Sequence, residues 1–225
     1  MKKKICSVIL ARGGSKGLKN KNLREVNFKP LIYWSIKKSL ESKLINKTYV
    51  SSDSKEILNY SEKIGASLIE RPFKYATDNS SSEIAWLHAA KKLEHDADII
   101  VGIQPTSPIR DGKDFDHALK KFIKCKYDSL FTALRINDYF VWEKKGTNLK
   151  ANYNYKKRPR RQNIKNKFLE NGSFYIFKTK KFLKYKCRLF KKIGFYEMEK
   201  IKSFQIDDIE DLIIINKLMK KNYER

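Results

Sequence analysis

Cysteine is scarce in this chain of 225 residues, and the three present, Cys6, Cys125 and Cys187, are odd in number, far apart and in no paired spacing. That excludes a disulfide framework and a zinc site, and makes a reducing cytoplasmic setting the expectation. Histidine is as rare: His88, His95 and His117 stand at no metal-ligand spacing, and no Ser-His-Asp or Cys-His constellation can be assembled, which disfavours a covalent enzyme intermediate. No stretch approaches the roughly eighteen consecutive apolar residues of a membrane span. Lys2-Lys3-Lys4 before the apolar run Ile5 to Ala11 imitates a leader peptide. The run is short, however, and passes into Arg12-Gly13-Gly14 without a small-x-small cleavage pattern, so a first buried strand accounts for it better. No linker rich in Gly, Ser or Pro interrupts the chain, and residues 1–225 read as a single domain.

Acidic residues are also in short supply, 25 against 50 Lys and Arg, for a formal charge of +25. Such a surplus points to nucleic acid, an anionic membrane surface or an anionic small substrate. The basic residues are spread along the whole chain, and there is neither an aromatic-plus-Gly RNA-binding signature nor a zinc-finger spacing. Nucleic acid is therefore not the expected partner. Most lysines read as solvated helix faces, and the surplus favours polyphosphate and carboxylate ligands bound in a salt-dependent way.

What the chain does contain is a regular alternation of short apolar runs and amphipathic stretches, the pattern of strand–helix units feeding a mostly parallel sheet with helices on both faces. Strands are expected at Ile5 to Leu10, Thr48 to Ser51, Ser67 to Glu70, Ile99 to Ile103, Ser129 to Leu134 and Gly172 to Phe177. Helices are expected at Leu31 to Leu40, after Asp53, at Ile84 to Leu93, near Phe115 to Cys125 and at Asp208 to Met219. Asp53 with Glu56, and Ser80 with Glu83, have capping-box spacing. From 137 to 167 the sequence is polar, basic and tyrosine-rich with little periodicity; this stretch and 180–200 read as an irregular excursion from the sheet.

The segment Ala11 to Asn22 follows the first strand directly. Its three glycines expose backbone N–H groups, and Arg12, Lys16 and Lys21 can surround a triphosphate with charge. Neither the P-loop nor the GxGxxG spacing is present. Read alone, the segment is either a phosphate cradle or a basic Gly-rich turn. Gln104 to Arg110 follows the most hydrophobic strand, and so lies where open α/β sheets bind ligands, or else is an ordinary Pro-containing turn. Arg158, Arg160 and Arg161 form a dense basic run. Asp207, ahead of the last helix, is either a carboxylate ligand for a hard cation or that helix's cap.

These blocks together resemble the acylneuraminate (sialic acid) cytidylyltransferase family. The resemblance runs through Ala11 to Asn22 with Lys29-Pro30-Leu31, Val50-Ser51-Ser52-Asp53, Arg71-Pro72, Ala76-Thr77-Asp78 with Ser80 to Ser82, and Gln104 to Arg110. It resumes at Arg161-Gln162, at Glu170 to Tyr175 and at Ile206-Asp207, in family order over essentially the whole chain. It implies a Rossmann-like fold and transfer of CMP from CTP to an acidic nine-carbon sugar with release of pyrophosphate, using Mg²⁺ or another divalent cation. By the same resemblance Arg12, Gly13, Gly14, Ser15, Lys16, Lys21, Asn22, Arg71 and Ser82 bind the nucleotide. Gln104, Thr106, Ser107, Arg161, Asn171 and Tyr175 face the sugar, with Arg161 on its carboxylate. Asp207 holds the metal, and Arg12, Lys21 and Asp207 carry catalysis. The family further implies a homodimer in which 137–167 and 180–200 help close the partner's sugar site.

Two positions depart from the family's pattern. Leu169 stands where relatives often have Arg, and Gln205-Ile206-Asp207-Asp208 replaces an I-D-I-D run, so that Gln205 takes the place of the first aspartate. The Gly13 to Gly17 loop and Asn171-Gly172 favour the acylneuraminate branch over Kdo enzymes, and do not choose among nine-carbon acids such as neuraminate, legionaminate and pseudaminate.

Overall fold

The computed structural model describes residues 3–15, 17–137 and 140–223. In chain order its strands are β1 (Ile5–Leu10), β2 (Glu25–Val26), β3 (Lys29–Pro30), β4 (Lys47–Ser52), β5 (Ser67–Glu70), β6 (Ile99–Ile103), β7 (Ser129–Ile136), β8 (Trp142–Lys145), β9 (Asn148–Ala151), β10 (Lys167–Lys178) and β11 (Ile193–Glu197). The helices are α1 (Leu31–Leu40), α2 (Lys55–Lys63), α3 (Ser82–Lys92), α4 (Gly112–Lys124), α5 (Thr179–Tyr185) and α6 (Ile209–Tyr223). Seven strands form one sheet in the order β11-β7-β10-β6-β1-β4-β5. β10 runs antiparallel to both neighbours, β6 and β7, and the other pairings are parallel, as the strand–helix alternation requires.

Strand alternation sends each residue set to one face, and both faces are covered. Ile9, Val50, Val101 and Phe174 pack against Ile32 and Ile36 of α1, Ile57 of α2 and Phe115, Leu119 and Phe122 of α4. Val8, Ile100, Tyr175 and Phe177 pack against Trp86 and Ala89 of α3 and Phe182 of α5. A third cluster sets the site. Leu212, Ile215 and Met219 of α6 close over Leu18, Val26, Leu31 and Ile206, so the Gly-rich loop and the segment carrying Asp207 share one apolar anchor.

Three sequence expectations change. The cap of α2 is Ser54, whose hydroxyl accepts the Ile57 N–H, and the cap of α3 is Ser81, which accepts that of Ile84. Asp53 and Ser80, one residue earlier, are thereby released for other contacts. Residues 180–200 are not irregular: α5 buries Phe182 in the core, and β11 joins the main sheet in parallel with β7. Their signal was weak because an edge strand and a two-turn helix carry little periodicity. The stretch 137–167, where described, holds the β8–β9 hairpin, which pairs only with itself and leaves Val141, Trp142 and Leu149 exposed.

Candidate active site

The loops that leave the carboxyl ends of β1, β5 and β6 converge on a cavity of about 410 Å³. Its floor is the Gly-rich loop. Gly13 donates its N–H to Asp53 Oδ1 at 3.1 Å, and the Asn22 side-chain amide donates to the Arg12 carbonyl at 2.9 Å, pinning both ends of the turn. A Cβ at Gly17 would lie 2.6 Å from the carbonyl oxygen of Asp207, so this glycine is required by close approach. The chain then reverses through Asn20, at φ 56°, into a 3-10 turn at Lys21–Leu23.

Among the described residues three cations border the cavity. Arg12 pairs with Asp78 at 2.8 Å, with about a third of its side chain exposed. Lys21 donates to the Ile206 carbonyl at 3.0 Å and to Asp207 Oδ1 at 2.9 Å. Arg71 is the most enclosed, its side chain 4% exposed and 3.8 Å from Asp53. Burial lowers its pKa, offset in part by the Asp53 carboxylate and aggravated by the charge of Arg12. Two guanidiniums and an ammonium bordering one space give it the positive character that suits an anionic ligand.

The opposite wall is polar. Ser81 and Ser82 open α3, and Thr77 and Ser80 share a hydroxyl contact of 2.8 Å. Gln104 and Thr106 come from the loop after β6. That loop is held by Arg110, wholly buried, whose guanidinium donates to the carbonyls of Gln104 (2.6 Å), Ser107 (2.7 Å) and Ser173 (3.0 Å). Burial pulls the Arg110 pKa down to about 9, and Asp114 raises it only in part.

A second cavity of about 380 Å³ adjoins the first, sharing Gln205 and Asp207 in its wall and reaching to Leu169, Glu170 and Asn171. Here β10 is bulged between Glu170 and Tyr175, and Gly172 takes φ 64°, a conformation that favours glycine. The bulge turns the Asn171 carbonyl toward Gln205, whose side-chain amide donates to it at 2.6 Å.

Of the residues expected at the site, Arg12, Ser15, Lys21, Asn22, Arg71, Ser82, Gln104, Thr106 and Asp207 line the first cavity, and Asn171 the second. Gly13 faces Asp53 instead, and Gly14 has open space around it. Lys16 lies outside the described residues. Three others stand elsewhere. Ser107 is fully buried, with its carbonyl taken by Arg110. Tyr175 falls on the α3 side of β10 by strand alternation, stacked edge-on against Trp86 with its hydroxyl donating to Glu170. Arg161 sits exposed on a 3-10 turn, Arg161–Asn163, lining neither cavity.

Asp207 is in an irregular segment directly ahead of α6. Its carboxylate is 69% exposed and faces Lys21, while the capping of α6 falls to its neighbours: Asp208 Oδ1 accepts the Asp211 N–H at 2.9 Å, and Asp211 Oδ2 accepts the N–H groups of Asp207 and Asp208. The Asp207 side chain therefore remains directed at the cavity. Among the described residues no group of three or more His, Cys, Asp or Glu side chains could hold an ion. A single hard carboxylate beside a cation-bordered cavity still fits a magnesium-type ion, which draws most of its ligands from water and from the oxygens of an anionic ligand.

Sequence reasoning missed Asp53, Asp78, Arg110 and Arg188. The spacing of Asp53 to Glu56 imitated a cap, and Arg188 joins the α3 N-terminus from 106 residues away with no local pattern to reveal it.

A family model described as cytidylyltransferase matches residues 6–225. The chain is 33% identical to N-acylneuraminate cytidylyltransferase A of Danio rerio, over 97% of this chain and 52% of that protein. It is 28% identical to CMP-N,N'-diacetyllegionaminic acid synthase of Campylobacter jejuni, over 96% of this chain and 94% of that protein. The chain spans about half the length of the first curated relatives it matches. Its fold superposes on a CMP:2-keto-3-deoxy-manno-octonic acid synthetase complexed with CTP at a TM-score of 0.72, with 17% identity and coverage of 97% and 99%, a likeness of fold alone.

Proposed function

Because this chain belongs to the cytidylyltransferase family, we propose that it transfers CMP from CTP to an acidic nine-carbon sugar, N-acetylneuraminate or a related nonulosonate, with release of pyrophosphate. The observation that carries the reading is the first cavity, where Arg12, Lys21 and Arg71 face a wall of serine, threonine and glutamine groups. In this reading the sugar's anomeric hydroxyl enters from the second cavity and attacks the α-phosphorus in line. The α–β phosphoanhydride bond breaks as the new P–O bond forms, pyrophosphate leaves toward the cationic loop, and the hydroxyl proton passes to water.

The chain's contribution is positioning and electrostatic. Arg12 and Lys21 neutralise the phosphate oxygens, Ser82 and Arg71 border the nucleobase, and Gln104 and Asn171 take sugar hydroxyls. Asp207 would hold Mg²⁺ or another divalent cation, which supplies further neutralisation of the phosphates. Relatives with names covering neuraminate and legionaminate support the nonulosonate class and leave the individual acid open.

The same reading includes a homodimer in the cytoplasm. The exposed Trp142 and Leu149 of the β8–β9 hairpin supply an apolar surface for a second copy, and Arg161 beyond it would reach the partner's sugar carboxylate. Free cysteines suit a reducing compartment, and among the described residues no helix is long and apolar enough to cross a membrane. The test is pyrophosphate release from CTP with a panel of nonulosonic acids and with the eight-carbon acid Kdo as contrast. Release with a nine-carbon acid is expected; release with none of them overturns the assignment.

A further inference from the structure

Arg188 lies outside the lining of the first cavity but holds a group on its wall. It comes from the loop between α5 and β11, and its Nη2 donates to the Ser82 hydroxyl at 2.5 Å and to Glu83 Oε2 at 2.7 Å, while Nε donates to Glu83 Oε1. The guanidinium is also packed at 4.8 Å from the Trp86 ring centroid and 4.7 Å from that of Tyr175. Glu83 neutralises its charge and the two rings fix its plane. It is a directed donor and not a loose cation available to phosphate.

The consequence falls on Ser82. A guanidinium has no acceptor, so in this contact the serine oxygen must accept, and its single hydrogen is left for another partner. Ser82 lines the cavity, where it can then offer a donor. Pyrimidines differ in what they present to such a donor. Cytosine has adjacent acceptors at O2 and N3; uracil has an N–H at position 3.

We propose that Arg188 is a specificity-setting positioning residue, which by locking the Ser82 oxygen as an acceptor makes this wall of the cavity read the O2/N3 acceptor edge of cytosine and discriminate against uracil. The proposal rests on the CTP reading above. Neither residue needs to take part in bond making, so the effect belongs in nucleotide affinity and in the ratio between nucleotides.

The experiment is calorimetric binding of CTP and of UTP to the full chain, for wild type, Ser82→Ala, Arg188→Met and the double variant, with melting temperatures alongside. Wild type is expected to bind CTP more tightly than UTP, and each single variant to lower that preference by about tenfold, the value of one charge-assisted hydrogen-bond system. The double variant should lose no more than either single one, because both act through one hydroxyl. Should Arg188→Met unfold, Arg188→Lys takes its place, and as a donor without an acceptor it should keep the wild-type preference. An unchanged CTP/UTP ratio in Ser82→Ala or in Arg188→Met, a lost preference in Arg188→Lys, multiplying losses in the double variant, or equal affinities in wild type overturns the proposal. Nonulosonate turnover run in parallel separates the two readings. Absence of turnover with every acid, with the binding ratios as expected, would sink the acceptor assignment alone.

Discussion

Gly17 and Asp207 are in backbone contact: a Cβ on the first would meet the carbonyl oxygen of the second at 2.6 Å. The loop after β1 thus rests on the segment leading into α6, and one apolar cluster anchors both through Leu18 and Ile206. Gly17→Ala forces these backbones apart, a clash of about 1–3 kcal/mol by analogy with overpacked cores. Pyrophosphate release should fall further than the melting temperature suggests, because the displacement moves Lys21 and Asp207 with respect to each other. Wild-type kinetics in Gly17→Ala would show that the loop can shift without cost.

Lys21→Ala and Arg12→Ala should both weaken use of CTP, each by about 2–5 kcal/mol if the lost contact is a desolvated charge pair with phosphate. They should differ in stability. Lys21 also ties down the Ile206 carbonyl and Asp207, whereas Arg12 pairs with the half-exposed Asp78. A melting-temperature loss confined to Lys21→Ala, with raised CTP KM in both variants, is the expected pattern.

Asp207→Asn keeps the shape of the side chain and removes its charge, so turnover should drop on the order of a hundredfold and added Mg²⁺ should rescue it poorly. Gln205→Asp restores the carboxylate common in relatives, yet here the Gln205 amide donates to the Asn171 carbonyl. An aspartate would lose that donor and face the carbonyl with negative charge. The expected result is a raised KM for the sugar, with no lowering of the Mg²⁺ requirement. Titration of activity against Mg²⁺ for both variants checks the pair.

Most of the fold was legible in the sequence because its central strands are continuous apolar runs and its helices are amphipathic. Part of the first cavity's lining was legible because Arg12, Lys21 and Asn22 stand within one short loop. Residues that act across the chain were not. The capping-box spacing of Asp53 and of Ser80 was real, but the adjacent Ser54 and Ser81 won the cap positions. Arg110 looked like part of a turn and proved to be its buried fastener, which no local pattern records. β11 gave almost no signal, since half its length is exposed at the edge of the sheet.

Glu83 supplies a pH test. Its carboxyl is held below the usual value of 4.5, first by the hydrogen bonds from Arg188 and then against the opposing effect of burial. A folded-state pKa below the unfolded one contributes stability in full above the unfolded value, and that contribution is lost as pH falls through the folded value. Melting temperatures of wild type and Glu83→Gln should therefore differ at neutral pH and converge in acid below 4.5. A constant gap across that range would mean that Glu83 is not titrating against Arg188.

The antiparallel strand in the middle of the sheet also dictates an order of assembly. β6 pairs with β1, β1 with β4 and β4 with β5, so the strands bordering the first cavity can join as soon as residue 103 has been made. β7 has no place beside them until β10 is inserted between it and β6. Contacts that close loops of this length form late, because chain entropy must be lost before they stabilise anything. During synthesis the half of the sheet that carries the first cavity's Gly-rich loop can therefore be paired while the other half awaits residue 178, and a chain stopped short of β10 would leave the β6 edge open to other chains.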